Sequence, residues 1–389
     1  MLFTYRSLDA EEKRVEEATA HLRDDLRRFI TTEPRRWTGL LARMTRARAL
    51  AASNSVEGIN VSDDDAIAAI DREDPANTDR DTWRAVTGYR EAMDYILQRR
   101  QTPTFRITED VLLTVHFMIC QSDWGANPGQ YRPGWIGVRN TSTGELVHEG
   151  VDRDHLEALV EELLDYVNDE DIDSIFLRAA MTHLNLTMLH PFKDGNGRTA
   201  RCIHTAVLAS DGIIAPAFSS IEEYIGRNQQ GYYGVLTEVG GGSWQPARDA
   251  KPWVRFCLTG HYVQARTLLR RMRELERLYT ELTDLVTASG LPDRMAMALL
   301  QAAFGTRVRN SSYRVSADLS KNLASRDLKE LVDAKLLVPE GQKRGRFYRA
   351  APIVAEIRQK IRLPKKIDDP FGKDGPAQAP QSSLFPEME

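Results

Sequence analysis

The sequence predicts a mainly α-helical protein that carries one β-hairpin and a small C-terminal module of three helices and two strands. Apolar residues recur at three- and four-residue steps through most of the chain. One interval, 125–150, switches to Gly, Pro, Asn, Thr and aromatic residues, and beyond Leu291 the helical pieces shorten and end in two strand-like runs.

Taken in order, Val15, Ala18, Leu22 and Leu26 mark one face of a charged helix over about 8–30, and a second helix follows the Pro34 break from about 37 to 57, where Gly58 is a stop signal. Residues 62–81 are acidic and read as a loop with one short helical piece, and helical spacing resumes over 83–97. Thr108 suits an N-cap, because Glu109 and Asp110 fill the next turn and Val111, Leu112, Val115 and Ile119 supply the apolar face. Within the glycine-rich interval, 135–138 and 145–148 flank Asn140-Thr141-Ser142-Thr143-Gly144, which is hairpin chemistry. Helices are expected over 154–168, 174–189, 197–210, 220–239 and 253–260, then along a charged run to 288. In the C-terminal module, helices over 295–304, 316–319 and 325–334 precede strands at 337–339 and 346–348, the order of a winged helix. Residues 363–389 hold five prolines with Gly, Gln and Ser, too little apolar surface to fold alone, and are expected to be a disordered tail.

A chain of 389 residues exceeds one ordinary core. The expected division is an N-terminal helical region 1–106, a core 107–262, a connecting helix 263–290, the winged helix 291–352, and a short helix with tail 353–389. The 52 Lys+Arg against 56 Asp+Glu give a net charge of −4, which excludes a surface built wholly to coat nucleic acid. Cys120, Cys202 and Cys257 are odd in number and sit in apolar or helical settings, so buried free thiols in a reducing compartment are expected. No apolar stretch approaches the roughly 18 residues of a membrane span, and the N-terminus lacks a signal-peptide pattern. A cytoplasmic location follows as the expectation.

The chemistry concentrates in His190-Pro191-Phe192-Lys193-Asp194-Gly195-Asn196-Gly197-Arg198-Thr199-Ala200-Arg201. Gly195-Asn196-Gly197 stands where a loop enters a helix, so unpaired backbone N–H groups and the positive helix end make an anion site, and glycine lets a phosphate reach the backbone. Arg198 and Arg201 are three apart, near one helix face, and suit a polyphosphate. Asp194 suits Mg²⁺, which takes one or two carboxylates and completes its shell with water and phosphate oxygens. His190 at the rim is a candidate general base. Phe192 is expected to be an apolar anchor for the loop.

These twelve residues resemble the signature His-x-Phe-x-(Asp/Glu)-Gly-Asn-Gly-Arg-x-x-Arg of the Fic domain family, enzymes that mostly transfer AMP from ATP to a protein hydroxyl. The resemblance implies a Fic helical core over about 107–262, with Ile136, Gly137 and Val138 in a hairpin flap that aligns the target segment. It implies that His190 is the base, that Asp194 binds Mg²⁺, that Gly195, Asn196, Gly197 and Arg198 hold the phosphates, and that Arg201 meets the γ-phosphate. Tyr232-Tyr233 matches a tyrosine pair near the nucleotide base in similar proteins. Two features depart from the pattern: the flap is longer at 140–145, and His148-Glu149-Gly150 stands where similar flaps often carry prolines.

Ser53-x-x-x-Glu57-Gly58 resembles the inhibitory motif (Ser/Thr)-x-x-x-Glu-(Gly/Asn) of many Fic proteins, and Glu57 at a helix end is placed to compete for Arg201. The resemblance therefore implies a self-inhibited protein adenylyltransferase using ATP and Mg²⁺, with a Tyr, Thr or Ser hydroxyl of a target protein, or of the chain itself, as acceptor. Two rivals are a Fic relative using another phosphate donor and a DNA-binding regulator whose core senses nucleotide. Residues 291–350 carry twelve Lys/Arg against six Asp/Glu, so this module is a candidate for DNA, through Arg326, Lys329, Lys343, Arg344 and Arg346, or for protein docking and a homodimer. Gln381-Ser382-Ser383-Leu384-Phe385 resembles the Gln-x-x-Leu-Phe peptides that dock on the bacterial replication sliding clamp.

Overall fold

The structure, a computed structural model, describes residues 1–32, 37–102, 104–139, 143–172, 174–209, 220–342 and 346–378. Among them the N-terminal region forms α1 (Ala10–Thr32), α2 (Thr38–Val56), α3 (Asp63–Asp71) and α4 (Arg80–Arg99). Next come α5 (Glu109–Cys120), a hairpin of β1 (Gly137–Arg139) and β2 (Leu146–Glu149), α6 (Arg153–Val167), α7 (Ile175–Leu189) and α8 (Asn196–Ala209). Then follow α9 (Glu222–Arg227), α10 (Gln229–Gly240) and α11 (Lys251–Ala288). The C-terminal module consists of α12 (Ala296–Ala303), α13 (Asn310–Ala317), α14 (Lys321–Asp333), β3 (Leu337–Glu340), β4 (Phe347–Ala350) and α15 (Pro352–Lys360). The starts of many helices are set by local chemistry. Ser62, Asp79, Thr108, Ser174 and Ser320 each accept an amide of the first turn through the side chain.

Helix α11 joins two apolar cores. Its first turns bury Trp253, Val254, Cys257 and Leu258 against α7, α8 and α10, while Leu268, Met272, Leu275, Leu278 and Leu282 belong to a second core with α12, α13 and α14. At 38 residues it is continuous, so the expected division between a core ending at 262 and a separate connecting helix falls inside one rod. Gly260, expected to end a segment, serves close packing instead: a Cβ there would meet Ile221 and Tyr224 at 2.7 Å. The expected single helix over 220–239 is two, broken at Asn228, whose backbone leaves helical geometry.

The second core also takes Trp37, Leu40, Leu41 and Met44 from α2, so the C-terminal module shares its interior with the N-terminal region. Its second helix lies earlier than the sequence suggests, at α13 rather than 316–319. Several of the module's cations are held by acids of the α3 region: Arg307 and Arg349 by Asp64, and Arg309 by Glu73. Arg294 pairs with Asp327 at 2.8 Å. Lys343 and Arg344 lie outside the described residues, as does Gln381–Phe385. The part of the expected disordered tail that is described, 363–378, is seated against the N-terminal helix. Arg14 donates to the Ala377 carbonyl at 2.7 Å, and Arg255 lies 4.7 Å over the Phe371 ring. Two apolar residues and one guanidinium stack supply what composition alone does not reveal. No described helix is long and apolar enough to cross a membrane, and the three cysteines are buried and free.

Three histidines are walled into the main core. His204 and His261 share a hydrogen bond between Nε2 atoms at 3.0 Å, and His183 bonds the Tyr232 hydroxyl at 3.1 Å. Burial pushes all three below the ordinary imidazole value, His204 to about 3. The folded chain thus binds fewer protons than the unfolded one once pH drops below about 6.5, and the stability held above that pH is lost progressively as pH falls. Urea denaturation is expected to show the fold weakening from neutral pH downward, with His204 alone accounting for about 1.4 kcal/mol by roughly pH 5.5. His204→Gln should flatten part of that slope.

Candidate active site

Helix α7 ends at His190, which adopts the left-handed conformation (φ 51°) that turns the chain into Pro191. A residue with a Cβ is strained there, and Arg132 offsets the strain. Its buried guanidinium donates from Nε to the His190 carbonyl at 2.9 Å and from its other nitrogens to the carbonyls of Gly134 and Val151, while its backbone N–H meets the Pro191 carbonyl at 2.9 Å. One side chain thereby ties both roots of the hairpin to the turn that carries His190. The His190 Nδ1 lies 3.2 Å from the Thr187 carbonyl. A carbonyl only accepts, so Nδ1 carries the proton and Nε2 presents a lone pair. Burial pushes the ring's pKa down to about 4, so it is neutral at neutral pH.

The loop after His190 is pinned from inside. Phe192 is fully buried and stacks on His116 with ring centroids 3.8 Å apart. His116 receives the Gly129 amide on Nδ1 at 3.0 Å, which makes Nε2 the donor to the Asp194 carbonyl at 2.9 Å. Asn196 points inward: its Oδ1 accepts the Phe192 amide at 2.9 Å and its Nδ2 donates to the Phe192 carbonyl at 2.8 Å. The Asn196 side chain is therefore a brace, which leaves its backbone N–H, in the first turn of α8, for the expected anion site. Gly195 has φ 77°, and a Cβ there would strike the Cys120 sulfur.

The charged groups form a second set. The Asp194 carboxylate is largely exposed and shares one oxygen with Arg198 Nη2 at 3.3 Å. With the other oxygen open to solvent beside the first turn of α8, this single carboxylate fits Mg²⁺ bound together with phosphate oxygens. Among the described residues no group of three or more His, Cys, Asp or Glu is placed to hold a metal by itself. Arg201 is fully buried. Ser53 Oγ accepts from its Nε at 2.8 Å, and the Ser53 carbonyl and Glu57 Oε1 accept from Nη2 at 2.9 and 2.6 Å. Burial disfavours the charge on Arg201, but Glu57 more than offsets this and holds its pKa above the ordinary value. Nη1 has no partner among the described residues. The Glu57 carboxylate also rests where a Gly197 Cβ would stand, directly over the backbone that opens α8.

The two tyrosines separate. Tyr232 is buried with its hydroxyl on His183, among Trp253, Phe256 and Tyr233, and presents no open ring face. Tyr233 is exposed, and its hydroxyl donates to the Val56 carbonyl at 2.9 Å, so it braces the end of α2. In the hairpin, Gly137 pairs with Glu149 and Val138 with His148. The three residues that depart from the family pattern moor this flap. His148 Nε2 donates to the Met188 carbonyl at 2.8 Å, Glu149 accepts the Trp135 indole N–H, and Gly150 lets Ile136 approach His190 while its amide meets the Ile136 carbonyl at 3.1 Å. Residues 140–142 of the hairpin loop lie outside the described residues.

Sequence reading missed Arg132 and His116, which lie far from the motif in sequence. A lone arginine before a proline carries no periodic signal, and His116 hides on an apolar helix face. Asn196→Ala is expected to cost about 2 kcal/mol or more in urea denaturation, because it leaves a buried amide and carbonyl of Phe192 unpaired. Asn196→Asp, which keeps one acceptor, should cost less.

Residues 106–208 match the model of the Fic/DOC family. The chain is 26% identical over 173 residues to the protein adenylyltransferase Fic of Nematostella vectensis, an alignment covering 44% of this chain and 36% of that protein. It is 39% identical over 71 residues to the protein adenylyltransferase fic-1 of Caenorhabditis elegans, covering 17% of this chain and 14% of that one. The chain thus spans well under two thirds of these relatives. Among solved structures, a Fic family protein from Desulfovibrio desulfuricans G20 superposes with a TM-score of 0.58 at 20% identity, covering 89% of this chain and 97% of that one. Fic-1 of C. elegans gives 0.54 at 19% identity, covering 67% and 72%. These two likenesses concern the fold. With the signature loop, its helix and the moored hairpin all inside or beside the matched segment, the chain carries a Fic/DOC family domain over residues 106–208.

Proposed function

We propose that the protein is a self-inhibited adenylyltransferase that moves AMP from ATP to a Tyr, Thr or Ser hydroxyl of a protein. The observation that carries this reading is a neutral His190, with its Nε2 lone pair free, beside a glycine-opened helix start bearing Asp194, Arg198 and Arg201. The names of the relatives, protein adenylyltransferases, point the same way. The edge of β1 away from β2, at Gly137 between Ile136 and Val138, offers backbone groups to an extended target segment.

His190 Nε2 takes the proton of the target hydroxyl. The freed oxygen attacks the α-phosphorus in line, the bond to the β-phosphate oxygen breaks, and pyrophosphate leaves. Backbone N–H groups of Gly195 to Gly197 and the Arg198 guanidinium meet the charge that develops on the phosphate oxygens. Mg²⁺ held by Asp194 supplies further charge neutralisation across the phosphates when bound. Arg201 orients the γ-phosphate only when Glu57 is not on it. As Glu57 holds Nη2 and covers Gly197, ATP enters at best in an unproductive pose, which is the basis of the proposed self-inhibition.

Incubation of the purified chain with isotopically labelled ATP and Mg²⁺, followed by mass analysis, should show the gain of one AMP on a hydroxyl residue. Glu57→Gly is expected to raise that self-labelling about tenfold or more, and equal labelling of both forms would sink the inhibitory role. In the Glu57→Gly background, His190→Ala should abolish transfer while nucleotide binding, read by calorimetry, stays within a factor of about three.

A further inference from the structure

The helix that delivers Glu57 has a second charged site behind it. A cleft of about 240 Å³ lies where α2, α9, α11 and α15 meet. Its walls carry Arg48 from α2, Arg227 from the end of α9, Arg270 and Arg271 from α11, and Arg358 from α15. Arg362 and Lys365 form the rim just beyond α15. Glu223 and Glu274 stand among these seven cations and Asp63 acts on Arg48 from the side, leaving an excess of four positive charges. Glu223 takes Arg271 through two bonds of 2.7 and 2.5 Å and Arg227 at 2.5 Å, and Glu274 takes Arg270 at 2.6 Å. Arg358 donates to the Ala303 carbonyl at 2.6 Å and lies over the Phe304 ring, contacts that aim it without neutralising it.

Arg48 is the informative residue. It is half-buried and makes no hydrogen bond or ion pair with a described residue, and neither do Arg362 and Lys365. Burial, then the Arg271 charge beside it, pulls its pKa down to about 10. Glu223 and Asp63 offset this only in part, and a helix that seats a guanidinium without an ion pair against like charge is held less firmly than one whose cation is paired. Guanidinium forks match phosphate oxygens in geometry and charge, and a concave site of this size takes a compact anion rather than the convex backbone of a duplex.

We propose that this cleft binds a compact polyphosphate anion, the chemistry shared by inorganic tripolyphosphate and the phosphate chain of a nucleotide, and that its occupancy clamps α2 to α9, α11 and α15. Arg48 precedes Glu57 by nine residues on one helix, about 13 Å along the axis. Clamping α2 therefore also holds Glu57 over Arg201. That regulatory consequence, unlike the binding, rests on the self-inhibition proposed above.

The test is calorimetric titration of the full chain with sodium tripolyphosphate at constant ionic strength, paired with amide exchange across residues 38–56. Binding is expected to survive Arg198→Gln, which alters the glycine loop, and to weaken about tenfold or more in the double variant Arg362→Gln, Lys365→Gln. Tripolyphosphate should slow exchange in α2 of the unaltered chain and leave it unchanged in the double variant. Arg48→Gln should show the same loss, and the exposed pair keeps the test decisive where that half-buried change disturbs folding. A parallel titration with ADP separates the sources: equal affinity assigns the phosphate chain alone, and tighter ADP binding weakened by the same pair assigns a nucleotide. Binding that vanishes in Arg198→Gln and persists in the double variant overturns the proposal. So does a chain that takes duplex DNA at the cleft but not tripolyphosphate, or binding that leaves α2 exchange unaltered. None of these readouts depends on AMP transfer, so the cleft and the proposed activity fail separately.

Discussion

A guanidinium without water is the constraint around which this site is built. Arg201 is fully buried, and a buried charge costs several kcal/mol unless paired and hydrogen-bonded. Three of its acceptors come from one end of α2: the Ser53 hydroxyl, the Ser53 carbonyl and the Glu57 carboxylate. Seating Arg201 and docking the end of α2 are therefore one event. The remaining nitrogen, Nη1, lies 3.1 Å from where a Gly197 Cβ would stand, so its unmet hydrogen-bonding capacity is directed at the start of α8. Nη1 alone of its nitrogens makes no hydrogen bond to a described residue.

The signature divides into residues whose polar groups line the site and residues that hold them there. Asp194, Arg198 and the lone pair of His190 face the cleft, whereas Phe192, Asn196 and the carbonyls of His190 and Asp194 are consumed by the interior. That division answers a mechanical problem. A loop that exposes backbone N–H groups to an anion surrenders their internal hydrogen bonds, so the rest of the loop must be over-determined. Asn196 and His116 do this from within, each using both of its polar ends. Arg132 does it from the hairpin side, and together with His148 on the Met188 carbonyl it ties the flap to the helix that carries the base.

Much of this was legible in the sequence, and the limits follow from physics. Helices with an apolar stripe and a Ser, Thr or Asp cap could be placed to within a few residues, because both signals are local. The loop chemistry was legible because His190, Asp194, the glycines and Arg198 are contiguous, and Glu57 could be connected to Arg201 only through the family pattern. What escaped depends on contacts distant in sequence. Tyr232 and Tyr233 are adjacent on a helix and their rings touch, yet one is buried in the core and the other is half-exposed on the α2 terminus. Gly260 looks like a stop but is a contact point for α9, and the residues around Phe371 find an arginine more than a hundred positions away. Arg132 and His116 had no signal, since a residue whose role is to satisfy carbonyls elsewhere leaves no periodicity.

The Arg201 to Glu57 pair is asymmetric, and the asymmetry says which partner moves. Arg201 is fully buried, whereas the Glu57 side chain is 29% exposed. If the pair separates, the carboxylate regains water and loses little, while Arg201 must find another anion in place. A γ-phosphate meets that need because it brings charge and several acceptor oxygens to the same nitrogens. The proposed exchange turns on how firmly the end of α2 is held, and Tyr233 on Val56 and Gln229 on Ser55 are its visible tethers. Because linkage is reciprocal, any ligand that tightens α2 must bind more weakly once an anion has displaced Glu57, by the same factor through which it opposes that displacement. In the proposed scheme, charge on one helix connects two clefts that share no side chain.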